Sequence, residues 1–166
     1  WAGGGVSAAG ACASLVEVAE RLGAPVLTSQ GGKGTIPADH PLHVGNWATE
    51  RPVQELIKGS DVMLAVGTRF SYFPTVRWTV ELPRRLIQID IDPAEIGRNY
   101  PVEIGVVGDA QFTLAMLLAE FDEMGLKARP PRYRELEELR KGVMDRIGPR
   151  DELDVLDQVR SALPRN

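Results

Sequence analysis

Acidic side chains follow two successive apolar stretches in the middle of the chain. Asp90 and Asp92 come at the end of the stretch 86–91, and Asp109 follows the stretch 102–107. Open parallel sheets use carboxylates at the carboxyl ends of their strands to bind the hydroxyl or amino groups of a nucleotide. A carboxylate on a buried strand is also costly without a partner. The pattern therefore predicts a nucleotide-type site, although Asp92 and Asp109 also suit a turn or a helix N-cap.

A second candidate element is the cluster Gly3-Gly4-Gly5 near the start of the sequence. Gly3, Gly5 and Ala8 satisfy the pattern G-x-G-x-x-A between a predicted strand and a predicted helix. Glycines there let the backbone approach a phosphate, and the helix N-terminus offers unpaired N–H groups. A tight turn without a ligand would need the same residues. We expect these glycines and the carboxylates to converge at one edge of the sheet, in a crevice suited to adenosine.

Other polar residues give weaker signals. Arg69 comes just after the apolar stretch 61–66, where its guanidinium could bind a phosphate or form a structural salt bridge. Lys33 is followed by Gly rather than by the Ser or Thr that a phosphate loop requires. His40 and His43 have no Cys or further His nearby. We therefore predict neither a metal site nor catalytic residues on this chain.

The end of the second predicted strand argues against an NAD dehydrogenase. Such an enzyme places Asp or Glu there, about 20 residues after the glycines, to bind the ribose, whereas this chain has Thr28-Ser29. An NAD(P)-binding oxidoreductase domain is disfavoured but stays an alternative. A flavin-binding module of the electron-transfer-flavoprotein type, with a similar sheet and glycine turn, is another.

Apolar stretches with strand character alternate with helical patterns along residues 1–123. Strands are predicted at 1–2, 25–28, 61–66, 86–91 and 102–107, and helices at 8–22, 50–58 and 110–123. This alternation predicts a three-layer, doubly wound Rossmann-like α/β domain whose parallel sheet has five or six strands. Residues 124–166 are rich in charges, and their apolar stripes over 133–147 and 153–163 predict a helical C-terminal linker.

The bulk properties are those of an ordinary soluble globular protein. The 166 residues carry a net charge of −4, so neither nucleic acid nor a membrane is a predicted partner. No apolar run approaches the roughly 18 residues that span a bilayer. The single cysteine, Cys12, cannot form an internal disulfide, which fits a cytoplasmic setting. Because the sequence opens with Trp1 in what looks like the tail of a strand, we expect a segment of a longer protein.

Four segments, read together, resemble the central domain of thiamine-diphosphate-dependent enzymes, nearest the acetolactate synthase-like group. They are GGGVSAAGA, ERLGAPVLTSQGGKGTIPADHPLHVG, GSDVMLAVGTRF and LIQIDIDPAEIGRNYPVEIGVVGD, and the resemblance covers about residues 1–121. It implies a central domain over 1–123 with a six-stranded parallel sheet, in a subunit of three domains. Residues 124–166 would lead towards an absent C-terminal thiamine-diphosphate-binding domain.

The resemblance also implies an activity that belongs to the intact protein. This activity is the making or breaking of a C–C bond beside the carbonyl of a 2-keto acid or acyl substrate, by a transferase or lyase. Thiamine diphosphate and Mg²⁺ would be held by the two other domains, in a homodimer or homotetramer. The isolated chain would be an inactive scaffold.

Flavin-containing members of the family hold FAD on the central domain, and others bind ADP there or nothing. The resemblance places Gly3, Gly4 and Gly5 at the pyrophosphate and ribose, and Thr28 and Ser29 beside the flavin. It places Gly67 and Arg69 at the phosphates, and Asp90, Ile91 and Asp109 at the adenosine end. Residues 45–48, GNWA, depart from the G-M-H-G of acetolactate synthases, and residues 71–74, SYFP, replace acidic and Arg residues. The glycines and Asp90 thus fit an adenosine half better than a whole flavin.

Overall fold

The structure is a computed structural model that describes residues 1–130, 133–147, 155, 158–159 and 161–163. Helices and short strands alternate along this part of the chain. In chain order they are α1 (Gly4–Ala8), α2 (Cys12–Leu22), β1 (Val26–Leu27), β2 (His43–Gly45), α3 (Arg51–Lys58), β3 (Met63–Val66), β4 (Leu86–Asp90), β5 (Ile104–Val107), α4 (Ala110–Glu123) and α5 (Tyr133–Ile147). Two 3₁₀ turns, Gln30–Gly32 and Pro93–Glu95, complete the set.

All strand pairings are parallel, which confirms the predicted α/β class. β1 pairs with β2, and β3, β4 and β5 form a second sheet in that order. Ala2 joins the two sheets, because it forms parallel bridges with both Thr28 and Val66. The strands therefore lie side by side in the order β2, β1, Ala2, β3, β4, β5. If Ala2 is numbered as the first strand in the chain, this order is 3-2-1-4-5-6, which is that of doubly wound dinucleotide-binding domains.

The predicted six-stranded sheet is not found as such. Among the described residues there are five strands in two small sheets. The physical reason lies at Ala2, whose N–H donates to the Leu27 carbonyl at 2.8 Å while the neighbouring Gly3 N–H donates to the Val66 carbonyl at 2.9 Å. The chain thus crosses from one neighbour to the other within two residues, too short a span to make a strand of its own.

The predicted helix over 8–22 is divided in two. Gly10 has a left-handed φ of 68°, and Ala11, which follows it, is fully buried at the start of α2. The helix also begins earlier than predicted, at Gly4. α2 ends as predicted at Gly23, whose φ of 61° suits glycine at a helix terminus.

The core lies between the strands and the helices that pack on them. α2 packs against α4, and α3 packs against α5. Each buried aliphatic side chain contributes roughly 1.5–3 kcal/mol relative to exposure. The fully buried members of the core include Val6, Leu42, Val44, Val53, Leu86, Leu114 and Val143. None of the described helices is long and apolar enough to cross a bilayer.

The first predicted helix of the tail is confirmed, and it packs on the domain. Leu136 and Val143 of α5 are 3% and 0% exposed. The Arg140 guanidinium donates to the backbone carbonyls of His40 and His43 at 3.2 and 3.1 Å. The apolar stripe of α5 therefore covers this domain rather than another one.

The remaining predictions for the tail fall mostly outside the described residues. Of the apolar stripe predicted over 153–163, Leu153 and Leu156 lie outside them, as do Pro131, Gly148 and Pro149, which flank the stripe over 133–147.

Candidate functional site

A small crevice opens where β3 and β4 end and α4 begins. Its volume is about 150 Å³. Five of the ten predicted binding residues line it, namely Gly5, Gly67, Asp90, Ile91 and Asp109. The other lining residues are Ala8, Ala9, Ile89, Gly108 and Ala110. The glycine turn and the two carboxylates thus meet at one edge of the sheet, as the sequence predicts.

The glycines at this edge allow two backbone segments to touch. A Cβ on Gly5 would lie 2.7 Å from the Gly67 Cα, and a Cβ on Gly67 would lie 2.6 Å from the Gly5 Cα. Gly67 also has a φ of 55°, in the left-handed region that disfavours any side chain. A Cβ on Gly3 would overlap the Gly67 carbonyl. The close approach by itself accounts for glycine at all three positions.

The backbone amides of the turn are engaged within the protein. The Gly3 N–H donates to the Val66 carbonyl at 2.9 Å, and the Gly5 N–H donates to the Gly67 carbonyl at 3.1 Å. Two donors that a phosphate would need are therefore already paired. This geometry favours the tight-turn alternative for Gly3 and Gly5 over a phosphate cradle at those amides.

The predicted residues after β1 lie on the other side of the glycine turn. Gly4 faces Gly31, whose carbonyl oxygen would be 3.2 Å from a Cβ at position 4. Ser29 accepts a hydrogen bond on Oγ from the Gly32 N–H at 3.1 Å. Thr28 is 1% exposed, and its hydroxyl has no hydrogen-bond partner among the residues that the structure describes. The lining of the crevice does not include Gly3, Gly4, Thr28 or Ser29.

The carboxylates have structural partners. Asp90 is 9% exposed and accepts the Asp92 N–H at 3.1 Å. Asp92 caps the turn Pro93–Glu95 by accepting the Ala94 N–H at 2.9 Å. Asp109 is the N-cap of α4 and accepts the N–H groups of Gln111 and Phe112 at 2.9 and 3.2 Å. The turn and N-cap alternatives for Asp92 and Asp109 are confirmed.

Arg69 and Ile91 are both exposed, but only Ile91 lines the crevice. Ile91 is 71% exposed at its edge. Arg69 contributes its backbone carbonyl, which accepts from the Asn99 side-chain amide at 2.8 Å, while the side chain faces solvent. The structure therefore does not bring the Arg69 guanidinium into the crevice lining.

Gln88 is an important residue that the sequence analysis missed. Its side chain is 2% exposed and lies in β4, two residues before Asp90. Its Nε2 donates to the carbonyls of Glu95 and Thr68 at 2.9 and 3.2 Å, and its Oε1 accepts the Gly97 N–H at 3.0 Å. Gln88 thus ties both loops that follow β3 and β4 to the sheet. The only signal in the sequence is a lone amide inside an apolar strand, which calls for buried partners.

His40, just before β2, and His43, the first residue of β2, have local structural roles. His40 pairs with Glu20 at 3.3 Å, and the His43 ring contacts the Ala38 carbonyl at 3.2 Å. Burial lowers the pKa of His43, and the nearby charges of Arg140 and His40 lower it further. The hydrogen bond to Ala38 acts in the opposite direction and raises this pKa. Within the described part of the chain, no three His, Cys, Asp or Glu side chains are grouped as a metal site would require.

Comparison with known proteins gives one consistent result. A sequence model of the family described as "Thiamine pyrophosphate enzyme, central domain" matches residues 1–117. The chain is 36% identical over 165 residues to a probable 2-ketoarginine decarboxylase of Pseudomonas aeruginosa, covering 98% of this chain and 29% of that protein. It is 38% identical over 143 residues to a probable acetolactate synthase large subunit of Methanocaldococcus jannaschii, covering 84% of this chain and 24% of that protein.

A solved structure agrees with these relatives. An X-ray structure from Mycobacterium smegmatis, of a protein classed as a thiamin diphosphate-dependent enzyme, is similar with a TM-score of 0.54 and 32% identity. The similarity covers 70% of this chain and 23% of that one. The chain therefore spans less than a third of the length of each protein it is compared with.

Proposed function

The chain belongs to the thiamine pyrophosphate enzyme family as a central domain, and from this premise we propose a non-catalytic role within a longer enzyme. The proposed reaction of the intact protein is the making or breaking of a C–C bond beside the carbonyl of a 2-keto acid or acyl substrate. The names of its relatives, a decarboxylase and an acetolactate synthase, support this class.

The observation that carries the proposal is the match of a central-domain model to residues 1–117. In the intact enzyme, thiamine diphosphate supplies the electron sink for a carbanion formed beside the carbonyl. Within the described part of the chain, no three His, Cys, Asp or Glu side chains form a group that could hold a metal ion. We place thiamine diphosphate and Mg²⁺ on other domains because the matching family model is that of a central domain, and we give this domain the role of scaffold.

The crevice suits the adenosine part of a nucleotide. Its volume of about 150 Å³ is below the roughly 300–1,000 Å³ of sites that enclose a whole ligand. The Asp90 carboxylate can accept a hydrogen bond from a ribose hydroxyl or an adenine amino group, as in other parallel sheets. We propose that ADP, or the adenosine end of FAD, is the ligand at this edge. A homodimeric or homotetrameric assembly in the cytoplasm completes the proposal.

Activity of the full-length protein tests the enzyme class. We expect turnover of a 2-keto acid that requires both thiamine diphosphate and Mg²⁺, measured as CO₂ release or as a condensation product. Residues 1–166 alone should give none under the same conditions. Product formation by the isolated chain, or cofactor-independent turnover by the full-length protein, would contradict the proposed role.

The nucleotide site is tested by titrating the full-length protein with ADP in a calorimeter. Loss of a hydrogen bond to a charged group costs about 1.5–3 kcal/mol, so Asp90→Asn should weaken binding by roughly 10-fold or more. Asp92→Asn is the matched control, because Asp92 does not line the crevice, and should change affinity less than about twofold by that geometry. If the wild-type protein binds neither ADP nor FAD, the proposed nucleotide site is wrong, while the proposed enzyme class is unaffected.

A further inference from the structure

The segment 71–79 between β3 and β4 presents a group of large exposed side chains that the crevice does not use. The large exposed side chains of this segment, which we call the aromatic loop, are Tyr72, Phe73, Val76, Arg77 and Trp78. The rings of Phe73 and Trp78 both pack edge-on against Tyr72, at centroid distances of 5.4 and 5.3 Å. The Arg77 guanidinium carbon lies 5.9 Å from the centre of the Tyr72 ring. The loop is thus one apolar surface with a positive charge over it.

The backbone of the aromatic loop is held in an unfavourable conformation. Val76, Arg77 and Trp78 have φ values of 49°, 59° and 59°. Left-handed conformations are disfavoured for every residue with a side chain, and more so for a β-branched one. Glycine would adopt them freely, yet none of the three positions has glycine. Strain of this kind persists only where the surrounding structure fixes the conformation, and it clusters at functional sites.

Hydrogen bonds from beneath make the aromatic loop rigid. Thr75 is fully buried, and its hydroxyl donates to the Ser71 carbonyl at 2.8 Å and accepts the Trp78 N–H at 3.1 Å. The Trp78 indole N–H donates to the Phe70 carbonyl at 2.8 Å. These bonds hold the loop backbone and the Trp78 ring in place, so a partner would lose little conformational freedom by contacting them.

These side chains have the composition of an interface centre. Tyr, Trp, Phe and Arg are enriched in the buried parts of protein–protein interfaces, where they carry much of the binding energy. Phe73 is 77% exposed, Trp78 44% and Tyr72 41%. Glu81, the acidic residue nearest to Arg77 in sequence, is engaged by Lys58 at 2.8 Å. A complementary surface should therefore be apolar and bring a carboxylate to Arg77.

We propose that the aromatic loop is the surface on which another domain of the same longer polypeptide docks. The occupant is argued from length, because the chain spans only 29% and 24% of its relatives and matches the central domain of their family. A central domain has further domains beside it, and a rigid apolar surface on it is the natural place for one of them. The inference rests on the proposed function only in requiring that longer polypeptide.

Hydroxyl-radical footprinting of the full-length protein tests the proposal. We expect Tyr72, Phe73 and Trp78 to be modified at least tenfold more slowly than in the urea-unfolded protein, at every protein concentration. Modification within threefold of the unfolded protein would show a free surface and overturn the proposal. Protection that disappears when oligomers dissociate on dilution would assign the surface to a second copy, and would overturn it equally.

A pair of variants identifies the covering element. Phe73→Asp should increase the modification of Trp78 at least tenfold in the full-length protein, because an unpaired carboxylate would prevent docking. Phe112→Asp is the matched control, since Phe112 on α4 is 75% exposed, and should leave Trp78 protected. If Phe73→Asp leaves Trp78 as protected as in the wild type, the proposal fails. The readout needs no turnover, so a failed activity test and a failed docking test are distinguishable.

Discussion

Replacement of Gly67 by alanine should destabilise the domain by about 2–5 kcal/mol. A left-handed φ costs a residue with a side chain about 1–2 kcal/mol, and Gly67 has a φ of 55°. The new Cβ would also lie 2.6 Å from the Gly5 Cα and 2.9 Å from its carbonyl carbon. These neighbours are backbone atoms that cannot rotate away, and overpacking of this kind typically costs a further 1–3 kcal/mol.

Gly125→Ala separates the two contributions. Gly125 has a φ of 62°, close to that of Gly67, but its Cβ would meet nothing within 4 Å. It should therefore lose only the conformational part, about 1–2 kcal/mol. Gly5→Ala tests the contact from the other side, because its Cβ would lie 2.7 Å from the Gly67 Cα.

Urea unfolding followed by circular dichroism measures all three variants. The free energies are comparable when the dependence on urea concentration is unchanged. If Gly67→Ala and Gly125→Ala agree within about 0.5 kcal/mol, which is the usual limit of additivity, the backbone contact between Gly5 and Gly67 does not contribute. The structural reason given for the glycine cluster would then be wrong.

Three further predictions concern other parts of the fold. Gln88→Leu should cost about 3 kcal/mol in urea unfolding, because it leaves two carbonyls and one N–H without their partner; a loss below about 1 kcal/mol would contradict the role of this amide. Leu136→Ala, at a 3% exposed position of α5, should cost about 2–5 kcal/mol. Met144→Ala, on the same helix but 47% exposed, should cost less than about 1 kcal/mol, and equal losses would refute the docking of α5. Burial lowers the pKa of the Trp1 amino group from 8.0 to about 5. Between pH 5 and 8 this amine is therefore protonated only in the unfolded state. A polypeptide that begins at Trp1 with a free amine should thus gain stability as the pH rises through this range. This gain in stability is at most about 4 kcal/mol. Acetylation of the amine should abolish the gain. If the pH dependence persists after acetylation, it comes from other groups such as His43.

The elements that the sequence predicts best are those with local causes. β3 and β4 follow from continuous apolar stretches, and α4 follows from Asp109, whose N-cap bonds involve only the next three residues. The convergence of Asp90 and Asp109 follows from chain order in a parallel sheet.

The features that escaped prediction depend on distant partners or on very short segments. β2 lies inside a loop that reads as irregular, because three residues carry no usable periodicity. The role of Gln88 requires the carbonyl of Thr68, 20 residues away. The glycine cluster alone is equally compatible with a phosphate site and a tight turn, because the approach of Gly67 to Gly5 has no local signature. Whether the crevice binds a nucleotide stays a prediction.

The continuity of the strand layer depends on a single alanine. Within the described part of the chain, only Ala2 forms bridges with both sheets, and its neighbour Trp1 donates a hydrogen bond to the Leu64 carbonyl of β3 at 2.7 Å. An apolar cavity of about 140 Å³, lined by Trp1 and Ala2, lies against this seam. Any change that breaks these hydrogen bonds would let the two sheets separate along that line and admit water to the cavity, so residues 1 and 2 set how the sheets are aligned.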